Sequence, residues 1–260
     1  MNKKDQKFIK RIRTNILKLT FSAKSSHIGS SLSIVEILYT LYFNILKKND
    51  RFILSKGHAA LALYCILYEK GFITYNVLNT YGQDGTRLMA HVSHKVKGVE
   101  FSTGSLGHGL SIGVGMAISA KILNKKHKVY VILGDGEINE GSVWEAAMSA
   151  NKHKIDNLVV LIDYNKMQAY GNSSEVLELE PLYNKWSSFG FEVKEVDGHD
   201  KSMLKNVLIN IPFKQDKPNL IICHTVKGKG IVFAENNPEW HHKSKINELD
   251  LAALKKSISP

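Results

Sequence analysis

Asp135 stands in Gly134-Asp135-Gly136, directly after the apolar run 129–133, and Asn165 follows the apolar run 158–162, thirty residues further on. A carboxylate at the tip of a glycine turn repels phosphate unless a cation lies between them. Two oxygen ligands at the ends of neighbouring strands, with room for phosphate oxygens and water, suit Mg²⁺, or alternatively Ca²⁺. Gly136 would let a backbone N–H approach a diphosphate oxygen. A dinucleotide fingerprint needs a third glycine where Asn139 stands, so that reading fails. Asp or Asn alone is more commonly a turn or helix cap. The pair, at strand ends and at this spacing, favours a cation site.

Eleven histidines are many for 260 residues, and four lie in polar, glycine-punctuated contexts. They are His27 in Ser-Ser-His-Ile-Gly, His58 in Ser-Lys-Gly-His-Ala, His91 in Met-Ala-His and His241 in Glu-Trp-His-His-Lys. Zinc is rejected, because the histidines lack the close spacing of a zinc module and the two cysteines are far apart. Imidazoles that titrate near neutrality suit a pocket for a diphosphate and a hydroxylated, phosphorylated sugar. The segment 225–230, Thr-Val-Lys-Gly-Lys-Gly, does not have Walker A spacing.

The elements that must position these groups are legible from periodicity. Phe8, Ile9, Ile12, Ile16, Leu17 and Leu19 recur at helical spacing, as do Ile34, Ile37, Leu38, Leu41 and Ile45. Ser33 with Glu36 reads as a capping box for the second helix, and a third helix reads from near Gly57 to a C′ glycine at Gly71. Short apolar runs at 129–133, 158–162, 191–196 and 220–223 begin at intervals of about thirty residues, the size of a βαβ unit. Helical patterns at 143–150 and 201–209 fall between strands. The fold class expected is α/β, a parallel sheet with helices on both faces, over residues 1–260 as one domain with a helical amino-terminal region. In such sheets ligands bind at the carboxyl ends of strands.

Composition excludes disorder, collagen and coiled coil as the main architecture. The net charge of +11 invites a nucleic-acid reading, yet only Arg11, Arg13, Arg51 and Arg87 are arginines. The other 31 cations are lysines, scattered along the chain, which argues for background composition rather than a nucleic-acid face. Cys65 and Cys223, inside apolar runs, read as buried free thiols of a reducing, cytoplasmic setting. No signal segment is read at the amino terminus. The longest apolar run, 59–68, is ten residues against the ~20 of a membrane helix, so no membrane role is expected.

Gly134-Asp135-Gly136-Glu137-Ile138-Asn139-Glu140-Gly141, followed by Leu161-Ile162-Asp163-Tyr164-Asn165-Lys166-Met167-Gln168, resembles the thiamine-diphosphate motif of transketolases. The resemblance covers nearly the whole chain and is to the amino-terminal, diphosphate-binding part of that family. It implies a thiamine-diphosphate-binding fold and a metal held by Asp135, Asn165 and the backbone carbonyl of Met167. It implies that His58 and His241 contact the cofactor diphosphate, and that His27, His91 and His241 line the substrate channel. His94 competes with His91 for its place, and His242 with His241. The Gly104 carbonyl would face the aminopyrimidine and Leu106 the thiazolium ring. His108 stands where many relatives have glutamine and is assigned no role. Glu140, with Glu145, would join a carboxylate network across a subunit interface.

The same resemblance implies what the chain lacks. The glutamate that activates the cofactor ring, and the groups that grip the sugar phosphate, belong to a second, pyrimidine-binding domain. Under forty residues follow the last strand, too few for it. The reading is therefore the amino-terminal subunit of a split transketolase, expected in an α2β2 heterotetramer of the pentose phosphate pathway with a separate carboxyl-terminal subunit. It would move a two-carbon ketol unit from a ketose phosphate to an aldose phosphate. Its rivals are a subunit of another thiamine-dependent aldehyde or ketol transferase, and a cofactor-holding subunit without turnover.

Overall fold

The computed structural model describes residues 3–232, 234–237, 252, 256 and 258. The chain begins with α1 (Lys3–Ala23), α2 (Ile28–Leu32) and α3 (Val35–Thr40), which runs into one wider turn at Leu41–Ile45. Strand β1 (Arg51–Leu54) leads through a tight turn, Gly57–Ala59, into α4 (Ala60–Glu69) and then α5 (Tyr75–Leu78). After a long loop come α6 (His108–Ile122), β2 (Val129–Gly134), α7 (Gly141–Lys152) and β3 (Leu158–Tyr164). The last described elements are α8 (Ser173–Val176), α9 (Leu182–Ser188), β4 (Glu192–Asp197), α10 (Lys201–Ile209) and β5 (Asn219–His224).

The five strands form one parallel sheet in the order β1-β2-β3-β5-β4. Strands β2 and β3 are buried along their whole length, which is why they read as unbroken apolar runs rather than alternating ones. Their side chains nevertheless divide by parity. Tyr130, Ile132, Val159 and Leu161 join a core with α1, α3, α4 and α10. Val129, Val131, Leu133, Leu158, Val160 and Ile162 join a second core with α6, α7 and α9. Helices on both faces were the expected architecture.

Three details differ from the sequence reading. Strand β1 escaped it because four residues at a sheet edge carry no measurable period. The Ser33–Glu36 capping box is absent. Ser33 closes α2 with helical backbone angles, whereas a capping serine needs an extended backbone, and Ile34 precedes α3 with no side-chain cap. Both side chains are engaged elsewhere: Ser33 Oγ donates to Asp163 at 2.7 Å and Glu36 accepts from Arg13 at 2.6 Å. Third, Ile28–Ile45 is apolar and long enough to cross a membrane by length and composition, although no continuous run reveals it. Here it is broken into α2, α3 and the wider turn, and is mostly buried in the core. Gly71 does follow α4 at φ +77°, and Cys65 and Cys223 are buried and free.

Helix α6 packs closely because it carries no side chain where it crosses β2. A Cβ on Gly113 would lie 2.5 Å from Val131 Cγ2, while one on Gly115, two residues along, meets nothing within 4 Å. Gly113→Ala should therefore destabilise the chain by about 1–3 kcal/mol through overpacking. Gly115→Ala should stabilise it by roughly 0.5–1 kcal/mol through helix propensity. Urea unfolding of the two variants beside the parent chain reads both signs.

Candidate active site

Parallel pairing sets Gly134 opposite Asp163, so Asp135 and Asn165 leave adjacent strands at the same, carboxyl edge of the sheet. Both are buried, and with Met167 they line a cavity of about 580 Å³. His27, His58, His91, Gly104, Leu106, Gly136 and Glu140 line the same cavity. His241 and its competitor His242 lie outside the described residues.

Local geometry explains how loops so distant in sequence meet here. His27 precedes α2 in a left-handed backbone conformation, φ +67°, and its ring centroid lies 5.3 Å from that of His58 and 5.9 Å from that of His91. Strand β1 and its turn deliver Lys56 and His58. A Cβ on Gly57 would lie 2.5 Å from the Thr103 carbonyl oxygen, so only glycine lets this turn pass beneath the 103–107 loop. That loop is tied down by Glu137, whose carboxylate accepts from the Gly107 N–H at 2.9 Å, the Gly134 N–H at 3.1 Å and the Ser55 hydroxyl. Burial pushes the Glu137 carboxyl upward, and these three donors oppose it. His91 packs beside Gly104, whereas His94 Nδ1 lies 2.7 Å from Ser102 Oγ. Glu140 is exposed at the mouth, next to Gly107, and Glu145 is exposed on α7.

The floor of the cavity is an array of buried charges. Asp163, fully buried in β3, pairs with Lys56 and accepts hydrogen bonds from Ser33, Thr225 and Asn165 Nδ2. Burial alone would raise the Asp163 carboxyl, but the Lys56 ammonium and these hydrogen bonds hold it below the usual carboxylate value. Because a carboxylate only accepts, the Asn165 amide must turn its NH₂ to Asp163, leaving Oδ1 to accept from Met167 N–H at 3.2 Å. Lys227 Nζ donates to the Met167 carbonyl at 3.0 Å. Burial and the nearby Lys56 charge bring Lys227 down to about 8. Burial and the Asp163 charge push Asp135 up to about 6, against the pull of Lys227 and Lys56. Gly136 N–H donates to Asp135 Oδ1 at 2.9 Å.

Lys56, Lys227, Asp163 and Glu137 are the functional residues that motif reading passed over. One signal was available: Asp163 interrupts a buried apolar strand, and a carboxylate there requires a partner. Lysines, imidazoles and backbone N–H groups at a sheet's carboxyl edge suit an anionic ligand. Among the described residues, no three His, Cys, Asp or Glu side chains gather as a metal cluster. A cation here would therefore draw on the Asp135 carboxylate together with the Asn165 amide oxygen and the Met167 carbonyl.

A doubly covered parallel sheet with this charged cavity at its carboxyl edge defines an α/β domain built to hold an anionic ligand. The transketolase, thiamine diphosphate binding domain family matches residues 4–259, and the chain belongs to it. The chain is 43% identical over 239 residues to an apulose-4-phosphate transketolase subunit from Phocaeicola vulgatus, covering 88% of this chain and 85% of that one. It is 44% identical to the protein of the same name from Actinobacillus succinogenes, over 95% and 94% of the two chains. The solved transketolase from Leishmania mexicana superposes with a TM-score of 0.86 at 26% identity, over 97% of this chain. This chain spans 44% of the length of that enzyme.

Removing one partner of a buried ion pair leaves the other charge stranded. Lys56→Met should cost about 3–5 kcal/mol of unfolding free energy. Lys217→Met, which deletes a half-exposed pair with Glu192 at 3.9 Å, should cost no more than about 1 kcal/mol. Paired urea titrations of the two variants test the contrast.

Proposed function

We propose that this chain is the diphosphate-binding half of a two-chain transketolase. It would hold thiamine diphosphate through a divalent cation, Mg²⁺ with Ca²⁺ as a substitute, and act with a separate subunit that carries the pyrimidine-binding domain. The reaction is transfer of a two-carbon ketol unit from a ketose phosphate to an aldose phosphate. The observation that carries this reading is a single cavity uniting the oxygens of Asp135, Asn165 and Met167 with the imidazoles of His27, His58 and His91.

The donor set fits a hard cation, since all three atoms are oxygens and a buried acid raised to about 6 gains from a neighbouring positive charge. A carbonyl oxygen has two lone pairs, so the Lys227 bond leaves one on Met167 for the metal. Thiamine diphosphate, when bound, supplies a carbanion nucleophile at its thiazolium ring. The chain's own residues orient and polarise. Lys227 and His58 would hold the diphosphate, with the Gly136 backbone beside them, and Gly104 and Leu106 would face the rings. His27 and His91 donate to the hydroxyl and carbonyl oxygens of the donor sugar. His241 is assigned to the same pocket on sequence resemblance alone.

The need for a partner is supported by the cavity's rim. Tyr170 is 93% exposed there, and Val176 and Leu177 beside it are exposed apolar side chains. A second chain closing over them would exclude water from the reacting atoms. Glu140, exposed at the mouth, is placed to meet that chain, and an α2β2 assembly satisfies both. Both bacterial relatives are named as one subunit of their transketolase, which supports the same division, and the substrate in their name makes phosphorylated ketoses the first donors to try. The two buried free thiols suit a cytoplasmic protein.

Mixing the chain with a pyrimidine-domain subunit, thiamine diphosphate and Mg²⁺ should give transfer from xylulose 5-phosphate or a ketose 4-phosphate to an aldose phosphate. EDTA should abolish it, and excess Mg²⁺ should restore it. Asp135→Ala should weaken metal-dependent cofactor binding by more than the roughly 10–100-fold typical of a residue that only orients a ligand. Full turnover by the isolated chain would overturn the half-enzyme reading, and an unaffected Asp135→Ala variant would overturn the metal assignment.

A further inference from the structure

The turn that carries Lys227 is gripped at both ends. Val226 N–H donates to His199 Nε2 at 2.8 Å, and Arg13 Nε donates to the Lys229 carbonyl at 3.0 Å. Between them, Gly228 N–H reaches the Gly29 carbonyl at 3.2 Å, and Lys227 Nζ reaches into the cavity to Met167. Gly230, at φ +91°, admits the guanidinium: a Cβ there would lie 2.5 Å from Arg13 Nε.

Both grips meet at one buried carboxylate. Glu36 Oε1 accepts from Arg13 Nη2 at 2.6 Å, and Glu36 Oε2 lies 3.0 Å from His199 Nδ1. A backbone N–H can only donate, so His199 Nε2 must present its lone pair to Val226 and carry its proton on Nδ1, aimed at Glu36. Burial would raise the Glu36 carboxyl, but Arg13 and His199 hold it below its ordinary value, which keeps it the anion that both donors require. Helices α1 and α3, the β4–α10 loop and the loop after β5 are thus joined through three side chains outside the cavity's charged floor.

We propose that Glu36, His199 and Arg13 form a positioning relay that sets, through the 226–229 turn, where the Lys227 ammonium stands at the diphosphate end of the cavity. The ligand's identity rests on the thiamine diphosphate reading, but the relay's geometry does not. A merely structural triad would lower stability and leave ligand affinity alone. A positioning relay changes affinity and responds to a substitute that restores the acceptor.

The experiment uses the full chain with Mg²⁺ and either thiamine diphosphate or inorganic diphosphate, followed by calorimetry. His199→Ala should weaken thiamine diphosphate binding about tenfold or more. His199→Gln, whose amide oxygen can accept from Val226 N–H, should recover most of that loss. Parental affinity in His199→Ala, or no recovery in a folded His199→Gln, overturns the relay. Imidazole ¹⁵N spectra supply an independent arm. His199 should appear as the neutral Nδ1–H tautomer, and an Nε2–H or cationic ring overturns the proposal. If the parent chain binds neither diphosphate, alone or mixed with the pyrimidine-domain subunit, the cofactor reading fails. The relay is then decided by the tautomer and by Val226 amide exchange, which should quicken in His199→Ala; unchanged exchange overturns it.

Discussion

The pair formed by Lys56 and Asp163 underlies the site. Two charges taken out of water are stable only if their remaining hydrogen-bonding capacity is filled, and here Ser33, Thr225 and Asn165 fill that of the carboxylate. The donors come from the α2–α3 junction, the loop after β5 and the end of β3, with the lysine from the turn after β1. Four separated segments are therefore fixed around one buried carboxylate before any ligand is considered. The geometry of Asn165 follows from that arrangement, because its amide orientation is dictated by Asp163.

Topology makes the arrangement possible. All five strands are parallel, so every strand-to-helix connection on the carboxyl edge opens toward the same side. The central strands β2 and β3 contribute the acid and the amide, and the turns after β1 and β5, with the loop before α6, surround them. Glu137 does for the 103–107 loop what Asp163 does for the floor: it satisfies three donors at once and removes the loop's freedom to move away. Rigid elements below and side-chain ties above leave the cavity pre-shaped, which lowers the ordering cost of binding.

Much of this was readable in the chain itself. Asp135 and Asn165 could be paired because they follow apolar runs of unmistakable length, and parallel neighbours must bring such positions together. The four strand runs and two helical patterns after residue 125 were legible for the same reason. Strand β1 was not, since four residues at an edge have no period. Ser33 and Glu36 illustrate a deeper limit. Their spacing fits a local cap, but both side chains satisfy partners more than twenty residues away in sequence, at Asp163 and Arg13. Lys56 and Lys227 were hidden by abundance: among 35 cations, nothing in sequence marks these two as buried.

His27 has a consequence for anyone who wishes to reshape the cavity by mutation. Its backbone occupies a region that most side chains enter only with strain, and a β-branched residue least of all. A library randomised at this position would carry a backbone penalty of about 1–2 kcal/mol in most members, mixed with whatever their chemistry does, with asparagine and glycine least affected. His91 reaches the same space from a loop with ordinary backbone angles, so diversity introduced there reports on ligand preference rather than on conformational tolerance.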